Sequence, residues 1–133
     1  MMAFTSCTSL KTVSFPKCTK IGSSAFESCS YLSSAYFPEL TTISSRAFSG
    51  CSRLTSISFP KLSRVSYMGM AGVGASSIYL PKLNYIDMYA FRNCTSLGVL
   101  SLPVASYIST YAFENCRKLS KLYLNSTKVC SLT

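Results

Sequence analysis

The stretch AFSGCSRLTSISFP, residues 47–60, decides the fold of this 133-residue chain because its pattern recurs along the whole sequence. Ala-Phe pairs also begin at residues 3, 25, 90 and 112, and Gly69-Met70 stands where the remaining pair would be. The six starting positions, 3, 25, 47, 69, 90 and 112, are 22 residues apart except for one interval of 21. The chain is therefore composed of six copies of one unit.

Four further positions recur in these repeats. The first holds Cys7, Cys29, Cys51, Val73, Cys94 and Cys116. The second holds Leu10, Leu32, Leu54, Leu97 and Leu119, with Ser76 or a neighbour in the fourth repeat. The third holds Pro16, Pro38, Pro60, Pro81 and Pro103, and the fourth holds Ile21, Ile43, Val65, Ile86, Ile108 and Cys130. About seven apolar side chains per repeat cannot form a separate core, so the repeats are expected to stack and bury each position against its copies.

Each unit contains one strand-like and one helix-like segment. Residues 54–60, LTSISFP, alternate at their end like a strand, and Pro60 then stops the strand. Residues 47–54, AFSGCSRL, carry apolar side chains three and four apart, which is typical of one short helical turn. The sequence predicts a single repeat domain over residues 1–133, a solenoid with a parallel β-sheet on one side and short helical turns and loops on the other.

The unit A-F-x-x-C-x-x-L-x-x-I-x-F-P resembles the BspA-type leucine-rich repeat over residues 3–133. The resemblance implies a curved leucine-rich-repeat solenoid of the α/β horseshoe class, mostly β, with the parallel sheet on its concave face. Known members are mostly bacterial or protist surface proteins, and related arrays occur in phage-encoded proteins. It therefore also implies adhesion or recognition at a cell surface or in a secreted protein, with no shared catalytic residues to transfer.

The ends of the chain lack polar capping repeats, which solenoids generally need for solubility. The first Ala-Phe pair begins at Ala3, and the chain ends Cys130-Ser131-Leu132-Thr133. We expect a fragment of a longer array, with two alternatives: uncapped ends that are simply tolerated, or open ends that associate end to end with another copy.

Charge and hydropathy limit the classes of partner. Thirteen Lys and Arg residues stand against four acidic ones, a formal net charge of +9, but the basic residues are scattered. This balance is compatible with an ordinary basic surface or with a polyanionic partner. No stretch approaches the roughly 18–20 apolar residues of a bilayer span, so no membrane insertion is expected. The first residues show no signal-peptide pattern.

The seven cysteines all fall in inward positions of the repeat. Val73 replaces cysteine at one of them, which indicates that the position needs a small apolar side chain. The sequence has no C-x-x-C pair and no histidine, so zinc-ligand spacing is absent. We predict buried free thiols, no metal and no cofactor.

Catalysis is not expected. Without histidine, acid–base chemistry would depend on Glu, Asp, Lys or Tyr, and the four acidic residues lie in different positions of the repeat. The sequence contains no nucleophile-elbow pattern, P-loop or dinucleotide-binding fingerprint. The glycines of residues 69–74, GMAGVG, fit none of these motifs. We interpret this stretch as a repeat that lost a residue and its large side chains, with a local pocket or hinge as the functional alternative.

The outward positions of the strands form a candidate recognition surface. The residue between Ile and Phe in each strand points outward because its neighbours point inward. Down the six repeats this position, which we call the recognition column, holds Ser14, Tyr36, Ser58, Tyr79, Ser101 and Tyr123. Two residues earlier lie Thr12, Ser34, Ser56, Ser77, Val99 and Lys121, and beside the strands lie Lys17, Lys61 and Lys82, with Lys20 and Arg64 in another position. A second tyrosine line contains Tyr67, Tyr89 and Tyr111, with Tyr85 and Tyr107 nearby.

Three functions compete on this evidence. Tyrosine and serine are the favoured residues of antibody paratopes, so the leading prediction is a recognition or adhesion module that binds a protein or glycan. Tyrosine, serine and threonine ladders also stiffen a parallel sheet, which leaves a structural spacer in a longer array as the alternative. Polyanion binding by the basic residues is the third.

Overall fold

The computed structural model describes residues 2–124, which form a solenoid of short parallel strands. The first strand of each repeat has three or four residues: β1 (Thr12–Ser14), β3 (Ser34–Tyr36), β5 (Ser56–Ser58), β7 (Ser77–Tyr79), β9 (Val99–Leu102) and β11 (Lys121–Leu124). The strands that follow them are β2 (Lys20–Ile21), β4 (Thr42–Ile43), β6 (Arg64–Val65), β8 (Tyr85–Ile86) and β10 (Tyr107–Ile108). The predicted fold class is confirmed: equivalent strands of successive repeats pair in parallel.

The strand-like segment forms the predicted parallel sheet, but in two parts. Strands β1, β3 and β5 form one three-stranded sheet, and β7, β9 and β11 form another. Register follows the repeat, since Val13 pairs with Ala35 and Ala35 with Ile57. In β1, β3 and β7 the middle residue is buried and its neighbours are exposed or half-buried, as the period of two requires.

A third sheet was not predicted from the sequence. Strands β2, β4, β6, β8 and β10 form one continuous five-stranded parallel ladder in which Ile43 pairs with Val65 and Val65 with Ile86. Each strand has two residues, one exposed or half-buried and one buried. The recurring Ile/Val position marks this inner residue, but two residues are too few to produce a visible strand period.

The prediction of helical turns was wrong, because the A-F-x-x-C-x-x-L segment forms no helix anywhere in residues 2–124. It folds into consecutive tight turns, as when the Cys29 N–H donates to the Phe26 carbonyl over 3.2 Å. A left-handed residue interrupts each segment, for example Ser28 at φ 59° and Gly50 at φ 76°. A left-handed residue breaks helical geometry, so spacings of three and four here reflect successive turns. Backbone bonds between repeats, such as Phe26 N–H to Ala47 C=O, stack these turns.

The core is a set of apolar columns that run along the stack, with no buried polar side chain among the described residues. Phe26 and Phe48 stack with ring centres 5.2 Å apart, and each neighbours a ring from the strand end, Phe37 or Phe59. In the fourth repeat Met70 and Leu80 fill the positions that phenylalanines hold in the repeats before it, and both are buried. Phe91 fills the first of these positions in the fifth repeat. The stack is thus continuous in apolar volume although the fourth repeat is different.

The fourth repeat also lacks the strand pairing of the others. The core position held elsewhere by leucine is filled by Ala75, two residues after Val73, whereas Leu54 comes three residues after Cys51. Strands β5 and β7 do not pair. Most Cα pairs between them lie more than 8 Å apart, whereas most Cα pairs of paired strands lie within 8 Å. The same two repeats remain joined through β6 and β8 and through the Gly50 N–H, which donates to Ala71 C=O over 2.8 Å. The third and fourth repeats are therefore separated only between β5 and β7.

Candidate recognition surface

The recognition column lies on the strand side as predicted, divided between the two three-stranded sheets. Tyr36 lies in register between Ser14 and Ser58, and Ser101 lies between Tyr79 and Tyr123. The tyrosines are 48%, 66% and 56% exposed for Tyr36, Tyr79 and Tyr123. Because serine alternates with tyrosine, no two of these rings are neighbours in a ladder. The column presents isolated aromatic side chains with hydroxyls between them.

The other described tyrosines are engaged with neighbours. Tyr85 stacks on Tyr107 with ring centres 4.6 Å apart, and Tyr89 stacks on Tyr111 at 5.5 Å. The Tyr67 ring meets Tyr89 edge-on, which confirms that the second tyrosine line is contiguous. By contrast, Tyr36, Tyr79 and Tyr123 have no ring or cation–π contact within residues 2–124. The tyrosines therefore fall into two sets: those that contact a neighbouring ring or arginine, and the three of the recognition column, whose rings are exposed to solvent.

Four arginines lie over tyrosine rings. These contacts were not predicted from the sequence. The guanidinium carbon of Arg64 is 3.9 Å from the centre of the Tyr85 ring, and that of Arg53 is 4.0 Å from the Tyr31 ring. Longer contacts join Arg46 to Tyr67 and Arg92 to Tyr89. Arg64 and Tyr85 are register partners in β6 and β8, so aligning the repeats position by position would have found this pair.

Serine and threonine hydroxyls divide in the same way as the tyrosines. Five of those at the corners, each just before a strand, donate to a carbonyl of the preceding repeat, as Ser33 does to Lys11 and Thr41 to Thr19, both over 3.0 Å. Ser63, Ser106 and Ser120 repeat this bond. The hydroxyls of Ser14, Ser58 and Ser101 make no such bond within residues 2–124. The corner hydroxyls join repeats, and those of the recognition column face solvent.

The lysine position beside the strands is only partly a free basic row. The ammonium group of Lys61 contacts both carboxylate oxygens of Glu39 at 2.7 and 2.8 Å. Lys17 and Lys82 are exposed and have no ion pair within the described part of the chain. Glu39 occupies the same position of the second repeat, so it partly neutralises the row.

The cysteine position is a buried thiol ladder. Cys29, Cys51 and Cys94 are fully buried, whereas Cys7, Cys18 and Cys116 are partly exposed, and these six are free thiols. Cys130 lies outside the described residues. The Cys51 thiol donates to the Phe26 carbonyl over 3.1 Å, and Cys29 repeats the bond to Phe4. Burial raises the pKa of Cys51 to about 12 and also raises that of Cys29, so neither supplies a thiolate at neutral pH.

Other kinds of site have little support in residues 2–124. No cluster of three or more Cys, Asp or Glu side chains in that range could hold a metal ion. Nor does that range contain a helix long and apolar enough to cross a membrane.

Two solved structures resemble this fold. A leucine-rich cell surface protein from Faecalibacterium prausnitzii A2-165 is 26% identical, with a TM-score of 0.78 over 87% of this chain and 32% of its own. A leucine-rich-repeat protein from Bacteroides ovatus ATCC 8483 is 24% identical, with a TM-score of 0.65 over 90% of this chain and 39% of its own. The chain thus spans about a third of the first protein and about two fifths of the second. No curated protein matches it.

The repeat itself matches a defined family. Six copies of the BspA type leucine rich repeat region match residues 1–71 and 70–132. The parallel ladders, the buried columns and the period of 22 residues agree with that match. The chain belongs to the BspA-type leucine-rich-repeat family.

Proposed function

We propose that this chain is a non-catalytic recognition or adhesion module that binds a protein or glycan through the recognition column. The observation that carries the proposal is the division among the tyrosines. Those elsewhere are stacked on rings or arginines, whereas Tyr36, Tyr79 and Tyr123 are exposed and make no ring contact within residues 2–124. Their rings are therefore available to a ligand, and a ligand that binds them displaces no ring or arginine contact.

The chemistry of the column suits adaptable binding. Tyrosine supplies a large apolar contact with one hydroxyl and loses little conformational entropy, and serine supplies small donors and acceptors. The hydroxyls of Ser14, Ser58 and Ser101 have no partner within residues 2–124, so they are available to a ligand. The resemblance to a leucine-rich cell surface protein supports exposure of this surface outside a cell.

A binding array with two matched variants tests the proposal. The chain is applied to protein and glycan arrays alongside a face variant, Tyr36→Ser/Tyr79→Ser/Tyr123→Ser, and a control variant, Tyr31→Ser/Tyr85→Ser/Tyr107→Ser. Both lose three tyrosines, but only the control loses ring contacts to Arg53, Arg64 and its own stack. We expect the face variant to lose binding with its Tm within a few degrees of the parent, and the control to keep binding with a lower Tm. A face variant that melts far below the parent and still binds contradicts the proposal.

Salt dependence separates the proposal from the other functions. Binding through counterion release weakens steeply with added salt, so a hit that both variants share and that salt abolishes indicates polyanion binding. The Lys61–Glu39 ion pair weakens that alternative because it neutralises one lysine of the row. If the chain is a spacer in a longer array, we expect no hit on the arrays at low or at near-physiological salt.

A further inference from the structure

The gap between β5 and β7 leaves two strand edges facing each other without a partner. The Leu80 N–H donates to Ser101 C=O and the Val99 N–H to Ser76 C=O, so residues 76, 78 and 80 face β9. Because backbone groups alternate in direction along a strand, Ser77 and Tyr79 turn their N–H and C=O groups toward the gap. The same alternation on the other side, where the Phe37 N–H donates to Ser58 C=O, turns the backbone of Ile57 toward it.

The edges of β5 and β7 lie farther apart than those of paired strands. Neighbouring strands lie about 4.8 Å apart, so a peptide strand inserted between these edges needs about 9.6 Å between them. Most Cα pairs between β5 and β7 lie more than 8 Å apart. A cleft of about 390 Å³ fills the space, with Ile57 and Phe59 on one wall, Ser77 and Tyr79 on the other, and prolines at one end.

The shortened fourth repeat maintains the gap. Five residue steps join Val73 to Ile78, whereas six join Cys51 to Ile57. At Gly74 the backbone comes so near the third repeat that a Cβ there would lie 2.1 Å from the Ser52 carbonyl oxygen. The strand after this close approach stands away from β5, while β6 and β8 stay paired.

We propose that this gap binds an extended peptide segment of a partner protein, which adds a strand and joins the two sheets into one. The proposal rests on the proposed recognition function and gives it a partner chemistry. An exposed strand edge is a template for backbone pairing, and here two edges are offered to one segment. A glycan lacks the regular series of N–H and C=O groups that would satisfy both edges.

The walls of the gap indicate which side chains the peptide carries. Ile57 is partly exposed, whereas its register equivalents Ala35, Ile78 and Leu100 are buried, so an apolar side chain is needed to cover it. Lys82 follows Pro81 at the end of the gap and has no ion pair within residues 2–124. On a chain of net charge +9, an acidic residue at that end of the peptide is complementary.

The probe is a capped heptapeptide, acetyl-Thr-Val-Thr-Val-Thr-Asp-Asp-amide, added to the whole chain. Its control is the same peptide methylated on both valine amide nitrogens, which keeps the side chains and removes backbone donors. Amide hydrogen exchange is followed by NMR at Ile57, Ser77 and Tyr79. In the free protein these amides should exchange at least about 100-fold faster than those of Ile78 and Leu100, which belong to ladders. The unmethylated peptide should slow them at least about tenfold, and the methylated one should not.

Two proline variants isolate the backbone donor. Ser77→Pro removes an N–H that faces the gap and leaves the bonds of Ser76 and Leu80 to the next repeat intact. Thr12→Pro removes an equivalent N–H at the outer edge of β1, away from the gap. We expect Ser77→Pro to weaken peptide binding at least about tenfold and Thr12→Pro to change it less than about twofold. Should Ser77→Pro fail to fold, the exchange comparison of the two peptides decides alone.

Several results overturn the proposal. Protection of Ile57, Ser77 and Tyr79 in the free protein means that the gap is closed. Protection that grows with protein concentration means that a second copy fills it. Equal protection by both peptides, or none from the unmethylated peptide at millimolar concentration, rules out strand addition. The recognition proposal survives each of these results if the face variant still loses its array hits, so the two failures are distinguishable.

Discussion

The thiol of Cys51 donates a hydrogen bond to the carbonyl oxygen of Phe26 in the preceding repeat, with 3.1 Å between sulfur and oxygen. Cys29 makes the same bond to Phe4 over 3.0 Å, and Cys94 makes it to Met70 over 3.3 Å. The bond explains why cysteine recurs at a position that valine can fill. A thiol occupies the small apolar site and also caps a carbonyl of the adjoining turn.

Thiol reactivity should follow this burial. We expect iodoacetamide at pH 8 to modify Cys7 and Cys18, which are partly exposed, and to leave Cys29, Cys51 and Cys94 unmodified until the protein unfolds. Peptide mass mapping after labelling, with and without denaturant, gives the pattern. Labelling of Cys51 at the rate of Cys18 under native conditions would contradict the buried ladder.

Alkaline pH should destabilise the fold through the same thiols. Burial raises the pKa of Cys51 from the ordinary 9.0 to about 12, so the folded state keeps a proton that the unfolded state loses. The stabilisation is therefore fully present below pH 9 and is lost as pH rises from 9 to 12. Between pH 8 and pH 10 we expect the free energy of unfolding to fall by roughly 1 kcal/mol more in the parent than in Cys51→Val.

Denaturant titrations of the two proteins at both pH values measure this difference. Val73 holds the same position in the fourth repeat, so the variant should fold. An equal loss of stability in parent and variant would remove Cys51 as the cause.

The close approach at Gly74 should be intolerant of any side chain. A Cβ there would lie 2.1 Å from the Ser52 carbonyl oxygen, and the obstacle is backbone, which cannot rotate away. We expect Gly74→Ala to lower the free energy of unfolding by about 2–3 kcal/mol. Gly98→Ala is the matched control, because its Cβ would meet the Ser76 carbonyl oxygen at 3.6 Å, an ordinary contact. Chemical denaturation should place the control within about 1 kcal/mol of the parent, and similar losses in both variants would argue against the contact.

The Arg64–Tyr85 contact should contribute modestly to stability. The guanidinium carbon lies 3.9 Å from the ring centre on an exposed surface, where cation–π pairs contribute about 0.5–1 kcal/mol. A double-mutant cycle with Arg64→Ala and Tyr85→Ala should give a coupling energy in that range, because each single change removes the same interaction. A cycle with Lys20→Ala and Tyr85→Ala is the control, since Lys20 lies two repeats from Arg64 in the same sheet. Equal coupling energies in the two cycles would contradict a specific contact.

Where sequence reasoning failed, the cause was geometric. The spacing of apolar residues in AFSGCSRL fits a helical turn, but the left-handed residue Gly50, at φ 76°, turns the backbone out of helical geometry. The strands β2, β4, β6, β8 and β10 were missed because two residues carry no period. The recognition column, in contrast, was placed outward correctly from alternation alone, as Tyr36 and Tyr79 demonstrate.

The sequence by itself determined the number of repeats, their parallel stacking and the direction of each column. These follow from periodicity, since burial of an apolar side chain is favourable wherever it lies and a repeated position must meet its own copies. Only the tertiary structure decided which tyrosines are stacked, which lysines are paired and where the sheet divides. The sequence shows that one residue is missing between Val73 and Ile78, but only the structure shows that β5 and β7 therefore fail to pair. Hydrogen bonds and ring contacts depend on distances of a few ångströms between repeats, and those distances exist only once the repeats are stacked.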